Sequence, residues 1–302
     1  MSIATIRGVA INYEILGARG PAMALTPGGR NPLANVRSMA ERMAAAGFRV
    51  LIHDRRNCGA SDAAFDPTGS EYDVSADDLH DLLAQNDMLP AILGGASSGA
   101  RLALAFARLH PASVSALILW RVTGGPFAVR RLVEKYYGEY IAAAGRGGMA
   151  AVCATEHFAD MIRNRPSNRE RLMAIDPAQF VSVMEAWRAH FLASADLPLI
   201  GASADDLRAI RAPACLIPGD DLTHAEETGM QAARLMPDCE LHVLTSGTRQ
   251  VDVVEPEEWK AREPAMVAIF TDFLARRLGT EPAAPSPRVR GEGRGEGASP
   301  RV

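Results

Sequence analysis

The residues best placed to do chemistry in this 302-residue chain lie in Gly95-Ala96-Ser97-Ser98-Gly99. An apolar run, "AILGG", leads into them, and "ARLALAFARLHP", a helical pattern closed by Pro111, follows. Gly-x-Ser-x-Gly between a strand and a helix makes a sharp turn. It thrusts the central hydroxyl out at the strand's C-terminal end, where the first N–H groups of the helix face it. Centring the pattern on Ser98 would put Ala96 and Ala100 at the glycine positions, so Ser97 is the candidate nucleophile. A serine hydroxyl is a weak nucleophile until a neighbouring base takes its proton. The identity of that base is the open question of the sequence.

The elements that must hold Ser97 can be read from apolar patterning. Two strands open the chain, around "ATIRG" and "AINYEIL", followed by "AMALTPGGR", a short apolar strand that ends in Pro27-Gly28-Gly29-Arg30. A helix over "NVRSMAERMAAAG", the strand of "FRVLIHDRRNCGASD", a helix over "SADDLHDLLAQNDM" with Ser75 as its predicted N-cap, and the strand "PAILGG" bring the chain to the turn. Buried strands alternating with helices predict an α/β fold, a mostly parallel sheet with helices on both faces. The rhythm breaks after the strand "VSALILW": residues 124–207 read as helical throughout, with turns at "GRGG" and "NRPSN". It resumes with "APACLIPGDD", "EETGMQAARLMP", "CELHVLT" and "EPAMVAIFTDFLARRL". The expected organisation is therefore a core of residues 1–123 and 208–279, a helical cap of 124–207 over the sheet edge, and a tail of 280–302. The tail repeats "SPRV" around "GEGRGEG"; with little apolar content it is expected to be disordered.

Four segments carry a resemblance to the α/β-hydrolase fold with an inserted helical cap, over roughly residues 3–278. "INYEILGARGPAMALTPGG" is similar to that superfamily's opening hairpin and third-strand loop. "HDRRNCGASD" resembles its Asp-x-Arg-Gly-x-Gly-x-Ser segment, with Asn57 in place of the first glycine. "GGASSGA" matches the nucleophile elbow, and "PACLIPGDDLTHAEETGMQAARLMP" looks like the acid-bearing strand, loop and helix. The resemblance implies two oxyanion-hole donors, the backbone N–H groups of Ser98 and Gly29. It implies a carboxylate just past "ACLIPG", Asp221 first and Asp220 as the alternative, to orient a histidine.

That histidine is expected after the last strand, but "SGTRQVDVVEPEEW" has none, and Thr248 and Arg249 fall at its place. His224, three residues after Asp221, is the first candidate base, and His157 of the cap is the second. The third alternative is that no histidine acts. Arg30, after the oxyanion loop, Arg121, at the end of "ALILW", and His157 are candidate substrate-binding residues; paired guanidinium groups at the cleft would favour an anionic substrate.

Composition narrows the partners. A net charge of −4 disfavours nucleic acid or an anionic membrane. Transmembrane length is not reached by any apolar run, and the first residues lack a basic-then-apolar secretion pattern. Four widely spaced cysteines without a CxxC pair fit a reduced, cytoplasmic protein, and neither a metal nor an organic cofactor is expected. The functional expectation is a hydrolase cleaving a small ester, thioester or activated carbon–carbon bond through Ser97. The alternative is a ligand-binding protein that keeps the fold without turnover.

Overall fold

The computed structural model describes residues 2–279; the tail expected to be disordered lies outside them. An eight-stranded sheet runs through the core in the order β1-β2-β4-β3-β5-β6-β7-β8. Its strands are β1 (Ser2–Ile6), β2 (Val9–Leu16), β3 (Ala22–Thr26), β4 (Arg49–His53), β5 (Ala91–Ala96), β6 (Val114–Trp120), β7 (Ala214–Ile217) and β8 (Cys239–Leu241). β1 and β2 form an antiparallel hairpin, and β2 runs antiparallel to β4. From β4 to β8 every pairing is parallel.

Alternation along the strands divides the core into two layers. Ala24, Leu51, Leu93, Leu117 and Leu216 face one side. There they meet α2 (Glu71–Gln85) and α3 (Ser98–Leu109), which follow α1 (Arg37–Ala45) in the chain. Met23, Leu25, Val50, Ile52, Ile118 and Ile217 face the other side and pack on α1 and the C-terminal helices. Continuous apolar strands covered on both faces are what parallel pairing requires.

Between β6 and β7 the chain forms α4 (Gly125–Val133), α5 (Glu139–Cys153), α6 (Glu156–Asn164), α7 (Ser167–Met173), α8 (Pro177–Leu192) and α9 (Ala204–Ala209). Most of these helices share a separate apolar cluster in which Tyr137, Phe158, Phe180 and Trp187 are buried. The "GRGG" turn is a kink inside α5, where Gly148 takes φ +60°. After β7 come α10 (Glu226–Leu235), α11 (Pro256–Ala261) and α12 (Glu263–Leu278). No helix of the described residues is long and apolar enough to cross a membrane.

Two local expectations are corrected. Helix α2 is capped by Ser70, whose side chain accepts from the Asp73 N–H, and starts at Glu71. Ser75 lies inside the helix, where its hydroxyl donates to the Glu71 carbonyl at 2.7 Å. Glu71 is buried and Tyr72 half-buried, so the first turn packs against the core although it reads as loop in the sequence. Strand β8 ends at Leu241, shorter than "CELHVLT" suggests, and His242 adds one more ladder bond to the Leu216 carbonyl.

Candidate active site

Close packing dictates the turn at Ser97. A Cβ on Gly95 would lie 2.5 Å from the Gly99 carbonyl carbon, and one on Gly99 would lie 2.1 Å from the Thr26 carbonyl oxygen. Both positions therefore exclude larger residues, which is the physical content of the Gly-x-Ser-x-Gly pattern. Ser97 itself takes φ 53°, ψ −111°, a conformation costly for a residue with a side chain. Its N–H donates to the Trp120 carbonyl at 3.2 Å, which ties the turn to the end of β6.

An imidazole reaches Ser97 from the loop after β7. His224 Nε2 is 3.0 Å from Ser97 Oγ, and His224 Nδ1 is 2.8 Å from Asp221 Oδ1. The loop doubles back tightly: a Cβ on Gly219 would fall 2.4 Å from the Cβ of His224. Asp221 Oδ1 also accepts the backbone N–H groups of Thr223 and His224, so carboxylate and imidazole belong to one hydrogen-bonded turn. Oδ2 accepts from Val254 N–H at 3.0 Å and from Arg121 Nη2 at 2.8 Å. The loop after β8 presses on this turn as well, because Leu222 and Thr223 donate their N–H groups to Val251 and Asp252. Where the superfamily pattern has its imidazole, this chain has a brace. Thr248 accepts the Glu226 N–H, and Arg249 pairs with Asp220 and Glu258.

Electrostatics leaves the pair in the protonation states that proton transfer needs. Burial pushes Asp221 up, but the His224 hydrogen bond, the Val254 N–H and the Arg121 charge outweigh it and hold the carboxyl well below its usual range. For His224, burial together with the charges of Arg121 and Arg101 outweighs Asp221, and the imidazole is pulled down to about 4. It is therefore neutral at pH 7, with a lone pair on the nitrogen facing Ser97 if Nδ1 carries the proton toward Asp221. Arg121 Nη2 is also 3.3 Å from Nδ1. In that tautomer both are donors converging on one carboxylate.

The loop of Pro27, Gly28 and Gly29 lies against the turn, with an added Cβ on Gly28 only 3.4 Å from Ser97 Cβ. Gly29 takes φ +59°, and its carbonyl accepts from Ser98 Oγ at 2.7 Å and from Arg55 Nη2. Arg55 Nη2 also reaches Ser98 Oγ at 3.4 Å, so one buried guanidinium links the two segments. Asp54 fixes the preceding loop by accepting from Asn12, Leu33 and Ala60. Asn57 takes φ +62°, a region asparagine tolerates. Its side-chain amide exchanges two hydrogen bonds with Ala64, at 2.8 and 2.9 Å, which accounts for an asparagine at a glycine position.

Other sequence candidates occupy different places. Arg30 is in a buried ion pair with Glu71 at 3.1 Å, among the rings of Tyr136, Tyr137 and Tyr140. Arg121 is committed to Asp221. Of the two arginines expected at the cleft, Arg121 lines the cavity of Ser97 with its guanidinium bonded to Asp221, while Arg30 is paired with Glu71 among the tyrosines. His157 Nε2 meets the Asn57 carbonyl at 2.8 Å, and burial chiefly, with the Arg30 charge, pulls the ring down to about 4. Asp220, the alternative acid, accepts from Trp259 and pairs with Arg249 and Arg262. Sequence reasoning missed Arg55 and Arg101; the second is on α3, one turn beyond Ser97, and that spacing was its available signal.

Ser97, His224, Gly28 and Gly29 line a cavity of about 590 Å³, whose far wall includes Leu132, Lys135 and Tyr136 from the inserted helical segment. Its size suits a small organic ligand.

Residues 21–134 match the family described as alpha/beta hydrolase fold. A hydrolase of Bacillus subtilis, YraK, is 32% identical over 113 residues, 37% of this chain and 41% of that protein. The mouse sn-1-specific diacylglycerol lipase ABHD11 is 33% identical over 119 residues, 38% of each chain. The chain thus spans about two-fifths of the curated relatives it matches. Among solved structures, the enol-lactonase from Burkholderia xenovorans LB400 superposes with a TM-score of 0.60 at 20% identity, covering 91% of this chain and 100% of its own. A malate-bound thermophilic esterase from Thermogutta terrifontis gives 0.60 at 21%, covering 90% and 98%.

Proposed function

For a chain that belongs to the α/β-hydrolase fold superfamily, we propose the activity of a serine hydrolase acting on a small acyl compound (an ester, thioester or activated carbon–carbon bond). The observation that carries this reading is the 3.0 Å contact between His224 Nε2 and Ser97 Oγ, backed by the 2.8 Å contact from Nδ1 to Asp221. Ser97 Oγ attacks the acyl carbon while His224 Nε2 takes its proton. Asp221 holds the ring by accepting from Nδ1–H and stabilises the imidazolium that forms. The N–H groups of Gly29 and Ser98 receive the charge that develops on the acyl oxygen, the step at which pre-oriented donors contribute most. His224 then gives its proton to the leaving group, and water, deprotonated by the same nitrogen, releases the acid from Ser97.

Two structural neighbours are an esterase and an enol-lactonase, which is consistent with acyl chemistry on this fold. A neutral imidazole in contact with the hydroxyl favours turnover over a ligand-binding role. The test is hydrolysis of p-nitrophenyl acetate and butyrate by the wild type and Ser97→Ala. Turnover that disappears in the variant supports the assignment, and equal turnover in both removes it.

A further inference from the structure

Arg101 has a buried guanidinium with no partner. The residue is 4% exposed, and Nε, Nη1 and Nη2 all lack a hydrogen-bond acceptor among the described residues. Its Cζ instead lies 4.5 Å from the ring centre of Tyr72, 5.0 Å from Phe191 and 5.9 Å from Tyr136. Aromatic faces attract a cation, yet they accept none of its five N–H donors in the way an oxyanion does. A buried charge left with unmade hydrogen bonds is costly, so the site calls for an anionic acceptor.

The surroundings agree. Arg101 lines a cavity of about 280 Å³ between α2, α3 and α8, whose walls include Tyr72, Tyr137, Trp187 and Phe191. Three carboxylates also border it, and each is already engaged. Glu71 pairs with Arg30 and accepts from Tyr137 at 2.7 Å, Asp73 pairs with Arg108, and Asp206 is held by Ser203 in the cap of α9. Glu71 lies under the charges of the buried Arg30 and Arg55, so the carboxylate next to Tyr72 is already neutralised from the other side and is not hydrogen-bonded to Arg101.

The position relative to Ser97 suggests what the anion belongs to. The Arg101 N–H donates to the Ser97 carbonyl at 3.1 Å, one turn along α3, and helical side chains lean toward the N-terminal turn. Tyr136, which contacts the Arg101 guanidinium, also lines the nucleophile's cavity. We infer that Arg101 binds a carboxylate in this second cavity, and that this carboxylate is the far end of an acyl substrate whose carbonyl is presented to Ser97. The substrate-tail part of the inference rests on the proposed hydrolase activity; the anion site does not.

The experiment compares kcat/KM for p-nitrophenyl pentanoate with that for the p-nitrophenyl half-esters of succinic, glutaric and adipic acids, in the wild type, Arg101→Met and Arg101→Lys. At least one half-ester should exceed the neutral ester by about tenfold or more in the wild type, the size expected for hydrogen bonds to a charged group. That ratio should collapse toward one in Arg101→Met and be partly kept in Arg101→Lys. Because the ratio is taken within each preparation, loss of folded protein cancels. Calorimetric titration with adipate and glutarate separates the sources of the anion. Binding by the wild type that is lost in Arg101→Met, without any half-ester preference, supports an anion site for a separate small molecule. The same binding with no ester hydrolysed at all leaves the site standing and removes the hydrolase reading. Neither preference nor dicarboxylate binding in the wild type overturns the inference.

Discussion

Asp221 and His224 are three residues apart on one loop, and their side chains meet at 2.8 Å. Carboxylate and imidazole therefore arrive at Ser97 as one unit, with the backbone N–H groups of Thr223 and His224 folded onto the same carboxylate oxygen. Since the pair shares a turn, its geometry depends on few long-range contacts: Val254 and Arg121 on the other carboxylate oxygen, and Val251 and Asp252 on the turn's backbone.

The first consequence separates the two adjacent aspartates. Asp221→Asn should lower kcat by about 10⁴-fold, as loss of the orienting acid does in the serine proteases. Asp220→Asn should act on stability instead, because Asp220 holds Trp259, Arg249 and Arg262. Its melting temperature should fall while kcat changes far less. A kcat loss in Asp220→Asn as deep as in Asp221→Asn would show that the roles are not divided in this way.

The pH profile is a second test. His224 is pulled down to about 4 by burial and by the charges of Arg121 and Arg101. Protonation removes the base, so kcat/KM should stay level from neutrality down to about pH 5 and fall only near pH 4. An acid limb centred near 6.5, the ordinary histidine value, would contradict the buried environment. Stability follows the same sign. The unfolded histidine takes up its proton near 6.5 and the folded one only near 4, so this residue's contribution declines as pH falls through that window.

Arg121 is a positioning residue in this arrangement. It donates to Asp221 at 2.8 Å and lowers the His224 ionisation through its charge. Arg121→Met should move the acid limb of kcat/KM upward, because one of the charges opposing the imidazolium is gone while Asp221 remains. A purely structural arginine would lower the amount of active enzyme and leave the limb in place.

Much of this could be read in the sequence, and the reasons for the rest are physical. Gly95, Ser97 and Gly99 announce the turn because steric exclusion acts over five residues and leaves a local signature. The alternation of short apolar strands and helices likewise gives away the parallel sheet. The partner of Ser97 was not fixed in the same way, since choosing among His224, His157 and none depends on whether the loop after Ile217 reverses. That reversal rests on the close approach of Gly219 to His224 and on hydrogen bonds to residues about thirty positions later. The partners of Arg30 and Arg121, Glu71 and Asp221, are distant in sequence, so neither ion pair leaves a local pattern. Arg101 lay unremarked inside an apolar helix pattern, and only burial without a partner gives it meaning.

Steric exclusion at the turn makes its own prediction. Gly99→Ala would put a methyl group 2.1 Å from the Thr26 carbonyl oxygen, a contact that neither backbone can relieve without moving β3 or α3. A loss of about 1–3 kcal/mol of unfolding free energy is expected in urea titrations, the usual cost of overpacking. A change within about 0.5 kcal/mol, the range of a neutral surface substitution, would show that the turn is looser than described.

The most direct measurement is the rate at which a fluorophosphonate labels Ser97 in the wild type and in His224→Asn. If the loop imidazole activates the hydroxyl, the wild type should be labelled rapidly and to one equivalent. The variant should react slower by about 10³-fold or more, in line with the cost of removing a general base. Equal labelling rates in the two proteins would contradict the account at its centre.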